Sequence, residues 1–206
     1  MLTLRQSYNN TRKERAKMKS SIIIGGTSDQ HGRNASDFYA TPPECTIALL
    51  AEFGWLFKDK PIWEPACGNG AISKVLLSKK YEVYSSDKYN RGYGESEVDF
   101  LKQSGNSFWT ESIITNPPFN LSEQFIRKAV TKKVPFAMLL KATYWHAAKR
   151  TELFNRTKPM AVIAMSWRPA MSPERGKSGT MDFCWTIWDS KPSFKTEYLV
   201  VRKEKI

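Results

Sequence analysis

The run Thr115-Asn116-Pro117-Pro118-Phe119-Asn120 sets an amide, two ring-locked residues and an aromatic side chain directly after the apolar pair Ile113-Ile114. Neither proline can donate to a strand ladder and both fix φ, so a strand ending at Thr115 stops here with its tip facing outward. In an open α/β sheet the carboxyl ends of strands are where ligands bind. The chemistry that suits such a tip is that of a planar amine whose lone pair is delocalised into the ring it decorates. Asn116 Oδ1 and the Pro117 carbonyl can each accept one N–H of that amine, which localises the lone pair on nitrogen. Phe119 can stack on the ring, and Pro118 stiffens the link between the two. The plain alternative is a proline-stiffened turn with a capping Asn.

Three other places carry groups that could hold a ligand. Glu64-Pro65-Ala66-Cys67-Gly68-Asn69-Gly70 joins a strand to a helix. Gly68 and Gly70 allow close backbone approach, and the helix start offers free N–H groups. The spacing is not that of a dinucleotide loop, and Glu64 at the strand tip would repel a pyrophosphate. It suits a ligand carrying an ammonium and a sulfonium instead. Asp87, after Ser85-Ser86, stands where an acid can chelate both hydroxyls of an adenosine ribose. A turn or helix-capping Asp is its alternative. Asp99-Phe100 could accept an adenine amino group and pack on its ring, although Asp99 also reads as a solvated loop acid.

The elements that must position these groups alternate. Pro42-Pro43 start a helix running through Phe53. Strands are expected at Pro61–Glu64 and Tyr81–Ser86, a short extended piece at Glu97–Asp99, and a strand at Ser112–Thr115. Helices are expected over Ala71–Lys79, Leu121–Lys132 and Tyr144–Phe154. The continuous apolar run Val134–Leu140 reads as a central parallel strand. Met160–Trp167, Phe183–Trp188 and Tyr198–Val201 read as three more strands. This alternation predicts an α/β fold. We expect a mostly parallel seven-stranded sheet, helices on both faces and an antiparallel edge strand. Residues 36–206 form a single domain on this reading. Residues 1–35 read as a basic arm, with Ile22-Ile23-Ile24 able to dock one short strand.

A chain of 206 residues with net charge +12 favours a polyanion partner. Solubility alone is the alternative. No apolar run reaches the ~18–20 residues of a membrane span, and no signal-peptide pattern opens the chain. Cys45, Cys67 and Cys184 are scattered, which implies neither disulfides nor a zinc site. A cytosolic setting, in a bacterium or a phage-infected host, is expected. His31 and His146 read as surface residues rather than catalytic bases.

Together these stretches resemble the S-adenosylmethionine-dependent DNA adenine-N6 methyltransferases, most closely their small phage and prophage members. The resemblance covers about residues 36–189 and implies a Rossmann-like methyltransferase fold. Tyr39-Ala40-Thr41-Pro42-Pro43 looks like the first cofactor motif, with Tyr39, Thr41 and Pro42 as contacts. Glu64–Gly70, including Ala66, Gly68 and Gly70, looks like the main cofactor loop. Asp87 matches the ribose acid, and Asp99 with Phe100 the adenine contact. Asn116-Pro117-Pro118-Phe119 matches the catalytic tetrapeptide in its adenine-N6 form. Arg168-Pro169 and the strand from Phe183 resemble the last motif, near the target base. Cofactor motifs precede the catalytic one, as in the gamma arrangement or a minimal enzyme.

The resemblance implies a flipped adenine stacked on Phe119, with Trp145 and Trp167 as further stacking candidates, and a transfer needing neither metal nor covalent nucleophile. Recognition of nucleic acid would fall to Lys141, Trp145, Lys149, Arg150, Arg168, Arg175 and Lys177. The chain departs from the family in having no large target-recognition insert. A short or relaxed recognition sequence, or a partner that reads the bases, follows from that. The same tetrapeptide also occurs in RNA amino-methyltransferases and in glutamine methyltransferases of translation factors. A silent nucleic-acid-binding module is a third class.

Overall fold

A computed structural model describes residues 38–104, 110–171 and 179–203. The expected arm, its isoleucine strand, Arg175 and Lys177 lie outside these. Seven strands form one sheet in the order β2-β1-β3-β4-β6-β5-β7. They are β1 (Ile62–Glu64), β2 (Val83–Ser85), β3 (Ser112–Thr115), β4 (Phe136–Lys141), β5 (Ala161–Met165), β6 (Phe183–Trp188) and β7 (Glu197–Val201). The helices are α1 (Pro43–Phe57), α2 (Ala71–Ser78), α3 (Ser122–Lys132) and α4 (Thr151–Arg156).

Alternation along the strands builds two cores. Ile114, Ala137, Leu139, Trp185 and Ile187 face α1 and α2, burying Leu49, Phe57, Ile72 and Leu76. Their neighbours Ile113, Met138, Leu140 and Trp188 face the other way, onto Phe125 and Ile126 of α3 and Leu153 of α4. Successive side chains point to opposite faces of a strand, so a sheet covered on both faces buries every position. All four residues of β3 and the first five of β4 are buried accordingly.

The antiparallel strand is not at an edge. It is β6, inserted between β4 and β5 and antiparallel to both, with Lys141 opposite Phe183 and Ala161 opposite Ile187. Every residue of β6 is buried, as suits a strand with neighbours on both sides and helices over both faces. The edge belongs to β7, parallel to β5, where Tyr198 and Val200 are each 67% exposed. The third extended piece also differs. No strand forms over Glu97–Asp99, where Glu97 turns to a φ of +65°, and a single parallel bridge joins Ser86 to Glu95 just before it.

Two helices depart from expectation. Phe53 leaves helical geometry at φ −124° and ψ 15°, but α1 resumes beyond it to Phe57. There the Tyr81 hydroxyl donates to the Gly54 carbonyl at 3.1 Å. The helix expected over residues 144–154 is broken by Ala147, which is extended. Two 3-10 turns, Tyr144–His146 and Ala148–Arg150, precede the short α4.

Candidate active site

β3 ends beside the start of α1, and the two meet through Asn116. Its Nδ2 donates to the Tyr39 carbonyl and to Thr41 Oγ1, each at 3.1 Å. A carbonyl only accepts, so the Tyr39 contact fixes which end of the amide is nitrogen. Asn116 Oδ1 is buried and accepts no hydrogen bond among the described residues. Beyond it, the Pro118 and Phe119 carbonyls are drawn into the turn that starts α3. Pro118 accepts from Leu121 N, and Ser122 Oγ donates to Phe119 at 3.1 Å.

Phe119 sits in a small aromatic group. Its ring stacks on Tyr39 at 5.2 Å and meets Phe183 at 5.7 Å. The Lys141 ammonium stands 4.8 Å from the Phe119 ring centre. Lys141 was expected to meet nucleic acid, and the last residue of β4 puts it at the ring itself. Phe183, opposite it on β6, comes from the strand that resembled the last motif, and its ring meets Phe119. Tyr39, expected on the cofactor, is held against the Phe119 ring.

The glycine loop lies one strand away. Glu64, at the tip of β1, is buried and accepts hydrogen bonds from Ser73 N at 2.8 Å and from Ser73 Oγ. It thereby anchors the first turn of α2, a partner that spacing alone did not reveal. Burial pushes the Glu64 carboxyl up to about 8. The nearby Asp87 charge adds to that rise and the two Ser73 bonds oppose it. Ala66 packs half-buried against the α3-side core. Gly68 and Gly70 have φ of +57° and +79°, which disfavour any side chain. A Cβ on Gly68 would lie 2.1 Å from the Phe38 ring, and one on Gly70 2.5 Å from the Tyr93 ring.

Asp87 is buried and points into the same loop. Its Oδ2 accepts the Gly68 N–H at 2.9 Å, and its Oδ1 accepts the Tyr89 N–H at 2.8 Å. Arg91 Nε lies 3.7 Å from Oδ1, and its guanidinium covers the Phe38 ring at 4.7 Å. Phe38, Arg91 and Tyr93 therefore wall the loop, although nothing but an Arg-Gly-Tyr-Gly sequence marked the last two. Asp99 pairs with Lys88 at 3.2 Å and accepts from Leu101 N. Phe100 requires a correction. It is 2% exposed and packs edge-on against Trp63 at 5.1 Å and against Phe125 at 4.9 Å. It is a residue of the core on the α3 side of the sheet.

Other expected residues separate. Trp145 packs against Tyr144, Phe154 and Trp188, a structural cluster rather than a free stacking face. Arg150 lies over the Tyr144 ring at 3.9 Å and donates to the Tyr144 carbonyl. Trp167 packs half-buried against the α1-side core. Lys149 and Arg168 are exposed, the latter paired with Asp182 at 2.9 Å. His146 is exposed as well. Pro42 precedes the first residue of α1, and Thr41 is buried. Pro117 is buried under the strand tip.

The residues present fit the expected cofactor on their chemistry. Two buried carboxylates suit its cationic end and its ribose. What covers the two glycines is side-chain ring, which can turn aside, rather than backbone. An unpaired acceptor, Asn116 Oδ1, marks where an amine could dock. Among the described residues no group of three or more His, Cys, Asp or Glu is arranged to hold a metal ion. No described helix is long and apolar enough to cross a membrane.

No family model matches the sequence, and no curated protein matches it. Solved structures do share its architecture, among them three provisionally assigned proteins. A class I S-adenosylmethionine-dependent methyltransferase from Listeria monocytogenes gives a TM-score of 0.57 at 12% identity, over 91% of this chain and 72% of its own. A modification subunit of a type I restriction enzyme from Vibrio vulnificus gives 0.58 at 11% identity; this chain is covered over 98% but spans only 53% of that one. An RNA methyltransferase from Pyrococcus horikoshii gives 0.56 at 14% identity, over 84% of this chain and 99% of its own. At such identities the likeness is one of fold, and the chain has the Rossmann-like fold of the class I S-adenosylmethionine-dependent methyltransferases.

Proposed function

We propose that the protein methylates the exocyclic N6 of a flipped-out adenine in DNA, with a short or relaxed recognition sequence. The observation that carries this reading is the Asn116 amide. Both its N–H groups are used inside the protein, and its oxygen is buried with no donor among the described residues. Leaving such an acceptor unpaired costs about 1–3 kcal/mol, which a substrate N–H recovers on docking. An amino group satisfies this oxygen, whereas a carbonyl at the same position of another base is repelled.

S-adenosylmethionine, held by the Glu64–Gly70 loop and Asp87, supplies an electrophilic methyl group on a sulfonium when bound. Asn116 Oδ1 and the Pro117 carbonyl accept the two N6 hydrogens and turn the nitrogen lone pair out of the ring. Phe119 supplies the stacking face once a neighbour gives way, and the Lys141 side chain, being long and flexible, is the one that moves. Its ammonium then serves a phosphate beside the flipped nucleotide. The methylated amine sheds one proton to solvent. Burial of Asn116 Oδ1 and of Thr41 keeps water from competing for the acceptor.

The deciding experiment is methyl transfer from labelled cofactor to duplex DNA, single-stranded DNA, RNA and a release factor, with digestion and mass spectrometry of the product. N6-methyladenine from DNA is expected. N4-methylcytosine would overturn the base assignment, and labelled release factor would favour the glutamine reading. RNA is the second reading, supported by the like-sized Pyrococcus structure. Asn116→Ala should lower kcat on the order of 10²-fold or more, by analogy with deleting one preorganised transition-state hydrogen bond. Its cofactor affinity should stay within about twofold of wild type, because the acceptor acts chiefly as the amine becomes tetrahedral.

A further inference from the structure

We infer that Tyr39 and Thr41 are positioning residues for the reacting amine, holding Asn116 in the one orientation that presents an acceptor. The inference rests on the methyl-transfer reading above and assigns this segment a task besides cofactor contact. A free Asn amide offers donors and acceptors alike, and rotation by half a turn about its last bond exchanges them. Here the Tyr39 carbonyl, which can only accept, opposes that rotation, and the Thr41 hydroxyl, free to donate or accept, holds the second hydrogen of the orientation the carbonyl selects. The Tyr39 main-chain carbonyl and Thr41 Oγ1 each accept one Nδ2 hydrogen at 3.1 Å. The turned-over amide would set Oδ1 against the Tyr39 carbonyl, oxygen to oxygen, and expose two donors where the substrate amine needs an acceptor.

Tyr39 carries a second contact. The Tyr39 ring lies on Phe119 at 5.2 Å with the planes 20° apart. The segment just before α1 thus braces both the acceptor and the stacking face of the β3 tip. Thr41 is 3% exposed, so its hydroxyl is no surface feature. Because the carbonyl belongs to the main chain, Thr41 is the part of the clamp that substitution can remove.

The test compares Thr41→Val, which keeps the shape and deletes the acceptor, with Thr41→Ser, which keeps the hydroxyl. Thr41→Val should lose about tenfold in kcat, the size of one hydrogen bond, with KM for cofactor and nucleic acid near wild type. Thr41→Ser should recover most of that loss. The side-chain amide resonances of Asn116, assigned by their disappearance in Asn116→Ala, supply a readout independent of turnover. One amide proton should move upfield in Thr41→Val and return in Thr41→Ser. Unmoved resonances overturn the clamp whatever the activity, and full kcat with moved resonances overturns its use in catalysis. A wild-type protein inactive on every substrate overturns the methyl-transfer reading instead, and the resonances then decide alone whether Thr41 holds Asn116.

Discussion

Glu64 is a carboxyl whose protonation follows from where the chain has put it. Burial raises its pKa from 4.5 to about 8, against the Ser73 bonds that favour its charged form. A group whose folded pKa is raised adds stability that is fully present below the unfolded value and is lost as pH rises through the folded one. The thermal midpoint of wild type should therefore fall more between pH 5 and pH 8 than that of Glu64→Gln, measured by calorimetry. A cationic ligand beside Glu64 favours its ionised form, so binding should release a proton. Affinity for S-adenosylmethionine should rise with pH up to about 8 and then level off. Titration calorimetry in two buffers of different ionisation enthalpy measures that proton directly. The residue types at Glu64, Asp87 and Asn116 were legible because strand tips and glycine turns mark ligand positions. Their destinations were not. That Asp87 accepts Gly68 N–H, that Ser73 binds Glu64 and that Phe100 turns into the core depend on contacts between segments distant in the chain.

Elements were the more readable level. Ser112–Thr115 falls where the apolar pair and the following prolines put it, and α3 and the last three strands lie within two residues of expectation. Local periodicity reports whether a stretch is a strand; it does not report which strand lies beside it. Hence an antiparallel strand was expected at the edge among the C-terminal strands, whereas the antiparallel strand is β6, buried along its whole length and interior. The helix expected over Tyr144–Phe154 failed for another reason, since Ala147 is extended and splits it into two 3-10 turns and the short α4. One side chain ties the layers together. Trp185 on β6 donates from Nε1 to the Cys45 carbonyl of α1 at 2.7 Å, fully buried. Trp185→Phe should cost about 1–3 kcal/mol by leaving that carbonyl unpaired, with some further loss of packing. Urea unfolding should show a lower midpoint at an unchanged slope.

At the scale of the whole molecule the governing quantity is charge. A net +12 acts on any polyanion at a distance, and Lys149 and Arg168 keep exposed side chains after β4 and β5. Affinity for duplex DNA should fall linearly on a log–log salt plot, each neutralised phosphate adding about 0.9 to the slope. Deleting residues 1–20, which are rich in Lys and Arg, should flatten that plot and leave cofactor affinity unchanged. A salt-independent interaction would sink the nucleic-acid assignment. The interior position of β6 also orders events in time. The strands β1 to β4 can pair as they appear, each beside one already made, whereas β5 has no ladder to β4 and must await β6, about twenty residues later. Until then its buried face is a temporary liability, and the pairing of β4 with β6 closes a long loop, which is slow. Pulse-labelled hydrogen exchange during refolding should protect the amides of β5 no earlier than those of β6, so that the last strands to meet are those on the far side of β4 from the tip of β3.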